Sequence, residues 1–127
     1  MPEVATPIAD FKDLILQWAR CRDEVKRAWI FGSYAYGTPC PGSDLDVAIE
    51  ISPSAIDHWG IFTFWMRHGS RLEEDLRNRF RAHWPMLEVN LELFHRYYGK
   101  IAYSAICQRR LAPVYRQPKS LDRSRSQ

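Results

Sequence analysis

Two aspartates two residues apart, Asp44 and Asp46, follow a Gly-Ser pair at Gly32-Ser33, with Gly37 and Ser43 in the intervening stretch. The apolar run Ala28-Trp29-Ile30-Phe31 leads into the pair. A strand that enters Gly-Ser at the head of a short helix leaves backbone N–H groups without intrahelical partners, which makes an anion cradle. Alternation along a strand puts Asp44 and Asp46 on one face, their Cα atoms roughly 6.5–7 Å apart at about 3.3 Å per residue. Carboxylates beside a phosphate cradle suit the joint binding of Mg²⁺ and a nucleoside triphosphate. The bland alternative is a glycine turn leading into a solvated strand. It accounts for Gly37-Thr38-Pro39-Cys40-Pro41-Gly42, which is turn chemistry. It does not account for two acids flanking Leu45 in a stretch, Leu45-Asp46-Val47-Ala48-Ile49, otherwise bound for a core.

The elements that must position these residues follow from periodicity. Ile8, Phe11, Leu14, Ile15 and Trp18 recur at helical spacing, which predicts an amphipathic helix over residues 8–22 covering one face of a sheet. Arg20, Arg22, Lys26 and Arg27 suit the C-terminal end of that helix, and one of them is a candidate for reaching a phosphate. A strand over 28–32, the Gly-Ser helix, the Pro/Gly loop and a strand over 45–51 come next. Ser52-Pro53-Ser54 stops that strand, and residues 54–81 read as helical, in two pieces broken near His68-Gly69-Ser70. Trp59, Phe62, Phe64 and Trp65 read as core, with a stacking platform or a partner surface as alternatives. Arg71, Arg77, Arg79 and Arg81, mixed with Glu73, Glu74 and Asp75, read as a solvated helix face. A strand over 87–94 sets Glu88, Asn90 and Glu92 on one face, and the leucines and Val89 on the other. A helix around 99–110 and the short apolar run Leu111–Tyr115 close the chain. The expected class is α/β (α+β), a small mixed β-sheet flanked by helices, with one domain over 1–115 and a basic, flexible tail over 116–127.

The bulk properties narrow the setting. A chain of 127 residues can bury a core of its own. No apolar run approaches the roughly 20 residues of a membrane span, and no signal-peptide pattern opens the chain. Cys21, Cys40 and Cys107 are odd in number and far apart, which fits a reducing, cytoplasmic setting and no metal-ligand spacing. His58, His68, His83 and His95 share no ligand spacing either. The net charge of +3 resides in residues 116–127, where Arg116, Lys119, Arg123 and Arg125 outnumber Asp122. The rest of the chain is formally neutral, which argues against a basic stripe for nucleic acid.

At Gly32-Ser33-Tyr34-Ala35-Tyr36-Gly37 and Ser43-Asp44-Leu45-Asp46 the chain resembles the DNA-polymerase-beta-like nucleotidyltransferase superfamily, and within it the minimal nucleotidyltransferases. The tight match covers residues 29–50 and a looser one reaches about residue 115. The resemblance implies a metal-dependent adenylyltransferase that moves AMP from ATP to an acceptor hydroxyl. It implies that Asp44 and Asp46 hold two Mg²⁺ ions with bound ATP, and that Gly32, Ser33, Gly37 and Ser43 bind the nucleotide. It also implies a third metal-facing acid on the strand over 87–94. Glu92 is the matched candidate, with Asn90 at an equally good register, in which case the site is one carboxylate short. Many relatives carry arginine where this chain has Tyr36, so the phosphate side is less basic. Larger relatives append a helical domain for the acceptor, and no room for one appears here. The resemblance therefore implies that the acceptor comes from a second polypeptide or a second copy. Minimal nucleotidyltransferases are often paired with a HEPN-type helical protein as antitoxin and toxin, and this chain looks like the antitoxin. Two other readings stand beside this one: a catalytically weak binding module of the same fold, and a nucleotidyltransferase for a small molecule or RNA.

Overall fold

The computed structural model describes residues 8–37, 42–95, 98 and 111–118. The first helix, α1 (Ile8–Arg20), buries Phe11, Ile15, Trp18 and Ala19, the stripe expected of a helix lying on a sheet. Asp10 in its first turn and Arg20 in its last complement the helix dipole. It stops two residues before the expected end, and strand β1 (Val25–Phe31) begins three residues early. The reason lies across the ladder. Val25 is fully buried opposite Ile51, and Arg27 finds Glu50 as its cross-strand partner and ion pair. A cation that reads as a helix end is thereby accommodated on a strand.

After β1 come the one-turn helix α2 (Ser33–Tyr36) and strand β2 (Leu45–Ile51), whose bounds match the expectation. A 3₁₀ turn at Pro53–Ala55 precedes α3 (Gly60–Arg81), which continues unbroken through His68-Gly69-Ser70. Gly69 is a space rather than a break. A Cβ there would lie 2.9 Å from the Trp65 ring, one turn earlier, so the missing side chain lets that indole pack against the helix. Strands β3 (Val89–Leu93) and β4 (Leu111–Arg116) complete the sheet. The expected helix around 99–110 lies outside the described residues. Leu111–Tyr115, read only as an apolar run, forms most of β4.

The sheet order is β3-β2-β1-β4. β1 runs antiparallel to both β2 and β4, while β2 and β3 are parallel, with α3 as the crossover that a parallel pair needs. The small mixed sheet flanked by helices is thus the observed class. Leu45, Val47, Ile49 and Ile51 join Ala28, Ile30, Val89, Leu91 and Leu93 in one core. Phe11, Ile15 and Trp18 of α1 and Leu72, Leu76 and Phe80 of α3 close over it. Trp29, Phe31 and Ala48, joined by Phe94, form a smaller cluster on the opposite face. β3 is an edge strand, and α3 occupies its free backbone groups. The Leu91 N–H donates to Glu73 at 2.9 Å, and Arg77 Nε donates to the Val89 carbonyl at 2.7 Å. Pairing the edge with an i,i+4 ion pair leaves less of it open to a foreign strand.

Described contacts continue past residue 115. Gln117 is buried, its N–H donating to the Lys26 carbonyl and its side-chain amide to the Asp23 carbonyl. Residues 119–127 lie outside the described residues. Among the described residues, no helix is long and apolar enough to cross a membrane.

Candidate functional site

β1 delivers the chain to Gly32, whose φ of 78° belongs to the region that favours glycine. A second constraint acts on the same atom. A Cβ on Gly32 would lie 2.4 Å from Asp46 Oδ2, so the bare backbone is what allows the carboxylate to sit there. The antiparallel register, Phe31 opposite Asp46, sets this approach. α2 starts directly after Gly32, and no side chain caps it. Tyr34 holds the short helix to the core through an edge-on contact with Phe11, ring centroids 5.3 Å apart. Gly37 ends α2 in the left-handed conformation, its N–H returned to the Tyr34 carbonyl. Gly32, Ser33 and Gly37 thus bracket one turn of backbone, half-buried at its start, beside Asp46.

Asp44 and Asp46 flank Leu45, which is buried in the main core and acts as the anchor between them. Asp46 is half-buried and Asp44 exposed, with half-buried Ser43 just ahead. Burial pushes the Asp46 carboxyl above its usual range, the nearby charge of Asp44 pushes the same way, and a hydrogen bond from Asn90 opposes both. Two anions drawn together at partial burial form an electrostatically unfavourable pair that a divalent cation would relieve. Their all-oxygen donor set fits Mg²⁺.

The parallel register of β2 and β3 places Asn90 opposite Asp46 and Glu92 opposite Ala48. The Asn90 amide Nδ2 donates to Asp44 Oδ2 at 3.2 Å and to Asp46 Oδ1 at 3.5 Å. Glu92 shares the face but stands one strand repeat further along it. Among the described residues, no group of three His, Cys, Asp or Glu side chains is arranged to hold a metal. The structure therefore brings together Gly32, Ser33, Asp44 and Asp46, and adds Asn90.

Arg77 is the residue that sequence reasoning assigned elsewhere. Read as part of a solvated face, it bonds the Val89 carbonyl, pairs with Glu88 and Glu73, and reaches Asn90 Oδ1 at 3.5 Å. Its signal was position: it borders the buried stripe Leu72–Leu76–Phe80, where an arginine can pass the sheet edge. Two of the arginines read at the end of α1, Arg22 and Arg27, are engaged away from Asp44 and Asp46. Arg22 pairs with Asp75 and lies over Trp18, and Arg27 pairs with Glu50 and lies over Trp29. The aromatic cluster divides. Phe64 and Trp65 pack against the core, whereas Trp59 and Phe62 are 61% and 50% exposed.

The family model described as "Nucleotidyltransferase domain" matches residues 14–98. The chain belongs to that family, within the polymerase-beta-like superfamily. Among curated proteins none matches. Two solved structures share the fold. One is a toxin–antitoxin complex with AMP-PNP, with a TM-score of 0.56 and 15% identity, covering 86% of this chain and 76% of that one. The other is a mutant MntA–HpeT toxin–antitoxin complex, with a TM-score of 0.56, 14% identity and the same coverage.

Proposed function

Starting from this membership, we propose that the chain binds ATP with Mg²⁺ beside Gly32 and transfers AMP to a hydroxyl on a partner protein. The observation that carries the reading is the approach of Asp46 to the bare backbone of Gly32. It sets a carboxylate beside a short turn of backbone, which supports a cation and a phosphate being held together there. In the transfer, the acceptor oxygen bonds to the α-phosphorus, the bond to the β-phosphate oxygen breaks, and pyrophosphate leaves. The acceptor proton passes to solvent or to a carboxylate on this face. Asp44 and Asp46 would hold the cations, and bound Mg²⁺ would neutralise charge on the phosphoryl oxygens. Gly32, Ser33, Gly37 and Ser43 would orient the phosphates. Glu92 remains the candidate third acid of the resemblance, and its effect is separable from that of Asn90 by substituting each alone.

Two observations support a protein acceptor. The fold is shared with chains of toxin–antitoxin complexes, one of them with an ATP analogue. Trp59, just ahead of α3, and Phe62 and Met66 within it are all exposed, an apolar surface of the kind that partners cover. A HEPN-type helical protein is the partner class the resemblance offers, and a second copy of this chain is the other.

A second reading follows from Asn90. With an amide opposite Asp46, the chain could bind nucleotide and partner without turnover. The two readings separate in one assay. The protein is incubated with α-labelled ATP, Mg²⁺ and the product of the adjacent reading frame, and label on protein is measured. Transfer that disappears in Asp44→Asn supports the enzyme. Nucleotide binding without transfer, with transfer appearing in Asn90→Asp, supports the binding module.

A further inference from the structure

Asn90 lies between a pair of anions and a cation, and that placement fixes which way its amide points. Its Nδ2 faces Asp44 Oδ2 at 3.2 Å and Asp46 Oδ1 at 3.5 Å, while its Oδ1 faces Arg77 Nη2 at 3.5 Å. Carboxylates only accept hydrogen bonds and a guanidinium only donates them. A flipped amide would set its oxygen against two carboxylates and its N–H groups against Arg77, wrong on both sides.

Arg77 in turn has little freedom to follow a moving amide. Its Nε donates to the Val89 carbonyl at 2.7 Å, and its Nη2 lies 3.3 Å from Glu88 and 3.6 Å from Glu73. A planar guanidinium fastened at one nitrogen to the β3 backbone holds its others in fixed directions. The amide orientation is thus set from the rear, by a helix residue bound to the edge of the strand that carries Asn90.

For a divalent cation this orientation is adverse. A hard cation takes oxygen donors, and the oxygen of Asn90 is the end turned away from Asp44 and Asp46. The end turned toward them carries N–H groups that occupy carboxylate lone pairs a cation would need. We propose that Asn90 is a built-in occupant of the acid pair rather than a cation ligand. Its amide bridges Asp44 and Asp46, Arg77 acts as the positioning residue that holds it so, and an incoming cation displaces it. The proposal rests on the reading of Asp44 and Asp46 as the cation site. It makes the third position a device that raises the cation concentration at which the site fills.

The test is a Mn²⁺ titration of the full chain without nucleotide, following free Mn²⁺ by electron paramagnetic resonance. Asn90→Ala removes the competing donor and should tighten the Mn²⁺ Kd by about tenfold, the worth of a hydrogen bond to a charged group. Asn90→Asp should tighten it further. Arg77→Leu frees the amide to turn and should tighten binding severalfold in the parent, but by no more than about twofold in the Asn90→Ala background. That coupling is a readout that a purely structural Arg77 would not produce. The Asn90 variants leave the edge bonds of β3 in place, so they decide the matter even if Arg77→Leu unfolds. Asn90→Ala binding Mn²⁺ no more tightly than the parent, while Asp44→Asn abolishes binding, overturns the amide proposal alone. No Mn²⁺ binding by the parent or any variant overturns the cation reading and this proposal with it.

Discussion

Strand β2 gives alternate residues to two unlike surfaces. Leu45, Val47, Ile49 and Ile51 enter the core under α1 and α3, and all are buried. Asp46, Ala48 and Glu50 belong to the opposite face, with Asp44 just ahead of the strand. The first face gains stability by removing apolar surface from water. The second carries Ala48 into the smaller apolar cluster and Glu50 to Arg27, and at its start sets Asp44 and Asp46 close together beside Gly32. One strand therefore has a half that holds the fold and a half that the fold holds against its own electrostatics. The lesson is that Asp46 is placed by its neighbours Leu45 and Val47, not by any attraction of its own.

The contrast can be broken first on the covered face. Ile49→Ala, at a fully buried position, should cost about 2–5 kcal/mol, read as a lower urea midpoint. Gly32→Ala comes next, because the new methyl collides with Asp46 Oδ2 and the positive φ strains any side chain. It should cost about 1–3 kcal/mol and abolish Mn²⁺ binding, which separates it from a core variant of equal cost that still binds.

Asp46→Asn should act in the opposite direction and sharpen the comparison. The folded chain holds the Asp46 proton more tightly than the unfolded chain, whose ordinary value is 3.8. Stability from this group is therefore fully present below the unfolded pKa and lost as pH rises through the higher folded one. At neutral pH the ionised carboxylate is a standing penalty. Asp46→Asn should be more stable than the parent there in chelator-treated buffer, and the two unfolding curves should converge below pH 3.8. Its amide oxygen can still accept from Asn90, so the gain is not cancelled by a lost bond. The smallest expected effect is Phe62→Ser on exposed α3, within about 0.5 kcal/mol of the parent in stability. A drop in co-purification of the partner with this variant, at unchanged stability, would mark that stripe as a contact surface.

Much of this was legible from residue order. Alternation fixed β2 to the residue, because a strand with one buried face must carry its apolar residues at every second position. Gly32-Ser33 and the Asp44/Asp46 pair were legible for the same local reason: turn, helix start and shared strand face are set within a few residues. The start of β1 was not, since Lys26 and Arg27 read as a helix end until Glu50 supplies a cross-strand partner. Gly69 read as a break until the Trp65 ring is seen filling its space. The apolar run after Arg110 carried no direction at all until β1 paired with it as β4.

What the sequence determined by itself was therefore the local chemistry: where a glycine turn opens a short helix, which two carboxylates share a face, and which residues go inside. What only the tertiary structure decided was which residue of β3 stands opposite Asp46. Asn90 and Glu92 have the same parity on the same strand, so alternation cannot choose between them. Register can, because it depends on how β3 lies along β2, and that is set by the packing of α3 between two strands distant in sequence. The same packing carries Arg77 round the sheet edge to Asn90, 13 residues away in the chain. Spacing reports what a segment can form. The partner across the ladder is a property of the assembled sheet.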